Sequence, residues 1–213
     1  KQAVTTKVLP RYVQYRATNK IVNRVLDNLA GRSDKNKGLI WHWQGSGKTF
    51  TMLFAGYKLF FSRQLENPSI FYIVDRDELE QQISEEFGFL PDFPVAERIS
   101  SVDNLKQVIV ADDYRGKRGI FLTLIHKFRT EELNQLSRVL KEVSIQKSTL
   151  MTRKNVICFI DEGHRTQYGL LSGQMKEIFQ KSFFFAFTGT PIAKKGRDTY
   201  KEFSYPPEED YLD

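Results

Sequence analysis

Three short groups of residues carry side chains whose types and spacing can do chemistry together. The first is Gly45-Ser46-Gly47-Lys48-Thr49, inside the stretch WHWQGSGKTF. Glycines let the backbone turn so that successive N–H groups point inward at phosphate oxygens. A helix beginning at Lys48 adds a partial positive charge at its N-terminus. Lys48 would then reach the outer phosphates of a nucleotide and Thr49 would ligate Mg2+; the alternative is a chance glycine-rich turn. The general pattern also has a glycine five residues before Gly47, and His42 stands there instead. That glycine only ends the preceding strand. The residues that wrap phosphate run from Gly45 to Thr49, so the cradle survives the exchange.

The second group is the acidic end of NVICFIDEGH. A phosphate loop needs a carboxylate at the end of another strand to hold the Mg2+ shell. Asp161 is the expected metal residue, and Glu162 is the expected base that orients or deprotonates an attacking water. Adjacent carboxylates at a strand end also occur as a solvated turn or a helix cap; pairing with the phosphate loop favours the chemical reading. His164 can serve as a metal ligand, a proton shuttle or a coupling residue. The chain has three histidines and one cysteine, too few in any one place for a zinc site. The third group is Thr188-Gly189-Thr190-Pro191, two hydroxyls around a glycine with a proline that stiffens the exit.

These groups need strands and helices to position them. Apolar runs of strand length recur at 38–43, 69–74, 119–125, 155–160 and 182–187. They are continuous in hydrophobicity rather than alternating, as strands buried on both faces of a parallel sheet are. Helix-like stretches lie between them at 11–29, 48–62, 76–87 and 129–144, the first with Val13, Ala17, Val22, Val25, Leu26 and Leu29 on one stripe. Alternation of this kind predicts an α/β fold, a three-layer doubly wound parallel sheet with right-handed crossovers. Ligands of such sheets bind beyond the carboxyl ends of the strands, where each of the three groups falls. Segments 87–95 and 111–119 read as loops, and the acidic, proline-containing 206–213 reads as an exit linker.

At 213 residues, 40% hydrophobic and 27% charged, the chain can build a packed globular core. A net charge of +6 suits a polyanionic partner such as nucleic acid, or a solvated basic surface. The lone Cys158, within VICFI, excludes an internal disulfide and reads as a buried core thiol. No apolar run approaches the ~18 residues of a membrane span. The expected setting is cytoplasmic, with no membrane partner.

The order and spacing of Gly45–Thr49, Asp161–His164 and Thr188–Pro191 resemble motifs I, II and III of superfamily 2 helicases and translocases. The segments FYIVDRDELEQQ, FLTLIHKF, DEGHRTQYG, AFTGTPI and DTYKEFSY resemble, more narrowly, the motor (restriction, or R) subunit of type I restriction–modification enzymes. The likeness covers most of the chain from about Arg11 onward. Gly163 stands where alanine is usual, and Leu124 and His126 where threonine and glutamine are.

The resemblance implies a P-loop NTPase (RecA-like) domain over residues 1–205 that takes ATP and Mg2+ and moves double-stranded DNA. Lys48, Asp161, Glu162 and His164 would be catalytic, with Thr49 and Asp161 on the metal. RYVQYRA resembles the adenine-recognising Q motif, so Gln14 would pair with the adenine edge; otherwise it is a helix-surface residue. Thr188, Gly189 and Thr190 would couple the γ-phosphate to DNA contact. Arg76, Thr123 and Lys127 would touch the DNA backbone, although Arg76 can instead pair with a neighbouring aspartate. The basic run 194–197 can add to that footprint or be a solvated loop.

Such motors work between two RecA-like domains, beside a nuclease-like domain and together with methylation and specificity subunits. The second motor domain and the nuclease are not expected within these residues, so the chain alone should bind nucleotide weakly and hydrolyse it poorly. Two other readings compete: a RecA-like domain of another superfamily 2 DNA or RNA helicase, and a non-hydrolysing, nucleotide-gated DNA-binding module.

Overall fold

A computed structural model of the chain describes residues 9–74, 83, 85–88, 90, 92–162, 173–194, 197–205 and 212. Helix α1 (Tyr12–Leu29) leads into strand β1 (Lys37–Trp41) and helix α2 (Lys48–Phe60). Strands β2 (Ser69–Val74) and β3 (Glu97–Ile99), helix α3 (Val102–Val110) and strand β4 (Gly119–Leu124) follow. Then come α4 (Thr130–Gln146), β5 (Val156–Asp161), helical backbone over 173–178, and β6 (Phe183–Thr188). A small antiparallel hairpin of β7 (Ala193–Lys194) and β8 (Arg197–Asp198) precedes a short helix, α5 (Thr199–Phe203).

Strands β1 to β6 form one sheet in the order β1-β6-β5-β2-β4-β3, and every pairing is parallel. The layers explain the unbroken apolar runs. Ile70, Tyr72 and Val74 face α1, α2, Ile83 and Phe87 on one side. Phe71 and Ile73 face α3, α4 and Met175–Phe179 on the other. β5 and β6 divide the same way, with Phe159, Phe185 and Phe187 on the first side and Cys158, Ile160 and Ala186 on the second. Side chains still alternate, but both faces are core. Each fully buried large apolar side chain contributes about 1.5–3 kcal/mol. An exposed ion pair such as Arg32–Asp27 contributes about 0–1 kcal/mol. The sheet and its two apolar layers therefore dominate the stability.

Burial also fixes the state of Cys158, whose thiol is pushed well above its ordinary pKa by loss of hydration. It stays protonated and inert inside β5, as its setting in the sequence suggests.

The structure departs from the sequence reading in several places. β1 stops at Trp41, so Trp43 belongs to the loop. β3 and α3 have no counterpart among the expected elements. On α1 the buried stripe runs through Gln14, Ala17, Thr18, Ile21 and Val25, so two polar residues lie on it while Val13, Val22, Leu26 and Leu29 flank it. Most of the expected helix at 76–87 lies outside the described residues; residues 83 and 85–87 within it are helical. Leu212 is 3% exposed and its N–H donates to the Leu39 carbonyl at 3.0 Å. At that point the chain is packed on β1, in contrast to a linker running clear of the domain.

Close packing yields a stability test. An ideal Cβ on Gly56 of α2 would lie 1.8 Å from the Tyr72 hydroxyl oxygen. Tyr72 is fully buried and cannot swing away. Gly56→Ala should therefore destabilise the chain by about 1–3 kcal/mol, read as a lower midpoint in urea unfolding. Adding Tyr72→Phe should restore part of the loss; a double variant no more stable than Gly56→Ala alone would rule out this clash as the cause.

Candidate nucleotide site

β1 ends at Trp41, and the loop after it turns through two glycines in the left-handed region, Gly45 at φ 80° and Gly47 at φ 82°. Other residues reach that region only at a cost. Gly47 caps α2, and its carbonyl accepts the first helical bond, from Thr51 N–H at 3.2 Å. Lys48 and Thr49 are thus the first two residues of a 13-residue helix, where unpaired N–H groups and the helix dipole favour an anion. The Ser46 hydroxyl is buried with no hydrogen-bond partner among the described residues. A polar atom so placed is expected to find its partner in a ligand.

The loop is braced from α1. Gln14 is 5% exposed, so it is not a helix-surface residue. Its Nε2 donates to the Ser46 carbonyl at 3.0 Å and to the Gly47 carbonyl at 3.3 Å, while its Oε1 accepts from Arg11 N–H at 2.8 Å. Both N–H bonds of the amide are spent on the loop, which leaves Nε2 no hydrogen for the adenine edge. A Cβ on Gly47 would lie 2.3 Å from this Nε2, so only glycine admits the brace.

The other two groups arrive on neighbouring strands. β6 lies between β1 and β5, with Trp41 in register with Thr188 and Phe187 in register with Asp161. Asp161 is the last residue of β5 and 7% exposed. Glu162 follows at φ 51°, a left-handed turn that a side chain adopts only under constraint. It brings the Glu162 carboxylate to the phosphate loop, where Oε1 is 3.5 Å from Lys48 Nζ. Thr188 is fully buried; its carbonyl accepts from His42 N–H and its hydroxyl from Thr190 N–H, each at 3.1 Å. His42, the residue that breaks the sequence pattern, is 1% exposed and forms part of this junction.

The donor set fits a phosphate chain with one divalent cation. Thr49 and Asp161 would offer Mg2+ two protein oxygens, with water and substrate oxygens filling the rest of its shell. Among the described residues no three His, Cys, Asp or Glu gather as a metal site.

The remaining expected site residues divide. Arg76 and His164 lie outside the described residues. Lys127 is exposed, in the turn after β4. Thr123 is fully buried inside β4 and its hydroxyl is shielded, so DNA cannot reach it in this structure. No side chain of the 194–197 run is described. Gln14 as a brace was missed because a glutamine at the start of a helix shows no spacing that links it to a loop more than 30 residues away.

The chain has known relatives. The SWI2/SNF2 ATPase model matches residues 13–213. The chain belongs to the SWI2/SNF2 ATPase family. Two relatives are described as type I restriction enzyme endonuclease subunits. MjaVIIIP of Methanocaldococcus jannaschii is 34% identical over 98% of this chain and 21% of its own length. HindI of Haemophilus influenzae is 30% identical over 93% of this chain and 19% of its own length. The chain thus spans about a fifth of the length of these relatives. Among solved structures, the ATP-dependent Type ISP restriction-modification enzyme LlaBIII bound to DNA shares the fold, with a TM-score of 0.55 at 16% identity over 91% of this chain and 14% of that one. The motif resemblance to type I motor subunits is borne out, and the RecA-like α/β fold with it. No described helix is long and apolar enough to cross a membrane.

The brace separates two roles for Gln14. Gln14→Ala removes two hydrogen bonds to the loop, each contributing about 0.5–1.5 kcal/mol. Affinity should fall about tenfold for ATP and by the same factor for GTP, measured by calorimetry. A loss confined to ATP would show that Gln14 reads the base instead.

Proposed function

We propose that this chain is the first RecA-like motor domain of a type I restriction enzyme motor subunit, binding ATP with Mg2+ and driving translocation on double-stranded DNA. One observation carries the reading. Three neighbouring strand ends bring Gly45–Thr49, Thr188–Thr190 and Asp161–Glu162 to one edge of the sheet, with Lys48 and Glu162 in contact there.

In this account Gly45–Thr49 bind the phosphates of ATP, the substrate, through loop N–H groups, the Ser46 hydroxyl and the start of α2. Lys48 leaves Glu162 for the outer phosphates, because a triphosphate outcompetes one carboxylate for the ammonium. The Glu162 carboxylate is then available to accept a proton from the attacking water. Thr49 and Asp161 hold Mg2+, which when bound neutralises the charge that builds on the phosphate oxygens. His164 is assigned to the same set on the motif resemblance alone. Thr188, Gly189 and Thr190, hydrogen-bonded to the loop strand and to one another, report the state of the site to the DNA side. Lys127 and Arg76 contribute backbone contacts there, which suits a motor that must track any sequence.

A second RecA-like domain of the same polypeptide completes the site. Methylation and specificity subunits are the wider partners. The chain by itself should turn over ATP at least about tenfold more slowly than a polypeptide that includes the second domain; equal rates would remove the need for that domain.

Two substitutions separate a motor from a nucleotide-gated module, assayed in a polypeptide carrying both motor domains. Lys48→Ala should abolish measurable ATP binding. Glu162→Gln should leave affinity within a few-fold while lowering turnover by about 10²–10⁴-fold. Unchanged turnover in Glu162→Gln would exclude it as the base, and a wild type with binding but no turnover would favour the sensor. For the DNA side, Lys127→Ala should weaken duplex binding alike for all sequences and reduce the slope of log affinity against log salt by about one. An unchanged slope would remove Lys127 from the footprint.

A further inference from the structure

Trp41 has no part in the scheme above, yet its side chain joins three segments. It is the last residue of β1, where the strand gives way to the phosphate loop. Its indole Nε1–H donates to the Gly189 carbonyl at 3.3 Å. Its ring meets Tyr200 edge-on, with centroids 6.3 Å apart and planes at 86°. Tyr200 lies on α5, which the chain enters after leaving the Thr188–Pro191 turn through the β7–β8 hairpin. That hairpin is closed at its base by Thr199 N–H on the Ile192 carbonyl, at 2.8 Å, and Ile192 N–H on the Thr199 hydroxyl, at 3.1 Å.

Beneath the indole the junction is backbone against backbone. A Cβ on Gly189 would lie 3.3 Å from both the His42 carbonyl oxygen and the Gln44 nitrogen. The turn and the loop backbone therefore approach too closely for a side chain at 189, and the two segments pack directly on each other. Trp41 is nonetheless 43% exposed, so burial alone does not account for a tryptophan here. What the position uses is a donor that reaches across to Gly189 and a ring edge that reaches Tyr200.

We propose that Trp41 is a positioning residue that makes the Gly189 turn and α5 follow the phosphate loop. The indole N–H tethers the turn, and the ring tethers the helix. When the loop adjusts around a triphosphate, the strand end moves with it and carries both segments along. The proposal rests on the reading of Gly45–Thr49 as a nucleotide site. It adds a route by which occupancy reaches the chain beyond the turn. Phenylalanine retains the aromatic contact with Tyr200 but has no N–H, so Trp41→Phe separates the tether from the packing.

Hydrogen–deuterium exchange tests this in a polypeptide carrying both motor domains, as wild type, Trp41→Phe and Tyr200→Leu, each with and without a non-hydrolysable ATP analogue and Mg2+. In wild type the analogue should slow exchange in peptides covering 189–192 and 199–203. In Trp41→Phe the slowing at 189–192 should shrink at least about twofold, the effect of losing one ordinary hydrogen bond, while analogue affinity stays within about twofold. Tyr200→Leu should weaken the slowing at 199–203 and leave 189–192 as in wild type. Equal slowing in wild type and Trp41→Phe overturns the proposal, as does an affinity loss in Trp41→Phe as large as its exchange change. A wild type that binds the analogue with no slowing in either segment overturns this inference alone. A wild type that fails to bind overturns the nucleotide-site reading and this inference together.

Discussion

A parallel sheet covered on both faces has room for polar chemistry only where its strands stop. Every residue of β2, β5 and β6 is buried, so a carboxylate or hydroxyl within them would lose its hydration with little in return. Asp161 and Thr188 stand at the last positions of their strands, where a ligand or a turn can satisfy them. Strand order then decides which ends become neighbours. β6 is the last strand of the sheet to form in the chain, yet it inserts between the first and the fifth. The insertion gives the loop after β1 and the acidic pair after β5 a common neighbour, the end of β6.

The site is tight as well as local. Gln14 holds the loop from one side, and the Thr188–Gly189 turn meets it from the other. Glu162 is turned back through a positive φ toward Lys48. Such a backbone angle costs of order 1–3 kcal/mol for a residue with a side chain, and it persists only where surrounding structure holds it. Asp161, paired with Phe187 on β6, anchors the residue just before it. The candidate site draws on segments far apart in sequence, each joined to another by a polar contact.

Much of this fold is legible in the sequence. Continuous apolar runs identified five of the six sheet strands, because burial on both faces erases alternation in the sequence. Gly45–Thr49 and Asp161–Glu162 stood out as candidates because phosphate and metal chemistry demand particular residue types, and the structure brings Lys48 beside Glu162. β3 was not, since its three residues are mostly exposed and belong to an edge. α3 was not, because its nine residues include three valines and an isoleucine, which weaken helix propensity; its Ser101 cap bond to Asn104 N–H is clear only once seen. Gln14 was read as a base reader or a surface residue, because nothing local in a sequence distinguishes a glutamine that meets a ligand from one that braces a loop. Thr123 was drawn to the DNA side by its motif, and the sheet buried it.

Leu212 gives the outer strand an importance beyond the site. β1 is at the margin of the sheet, and an open margin offers its carbonyls and N–H groups to any passing strand, which is how sheets join into aggregates. Leu212 covers part of it. Its N–H takes the Leu39 carbonyl, and its side chain fills the hollow that Gly38 leaves beside Phe185. A piece of this protein cut after Tyr205 would uncover both, on the strand that carries the phosphate loop. Where the polypeptide is trimmed thus bears on whether the domain stays single in solution, a matter of colloidal behaviour that no catalytic motif records.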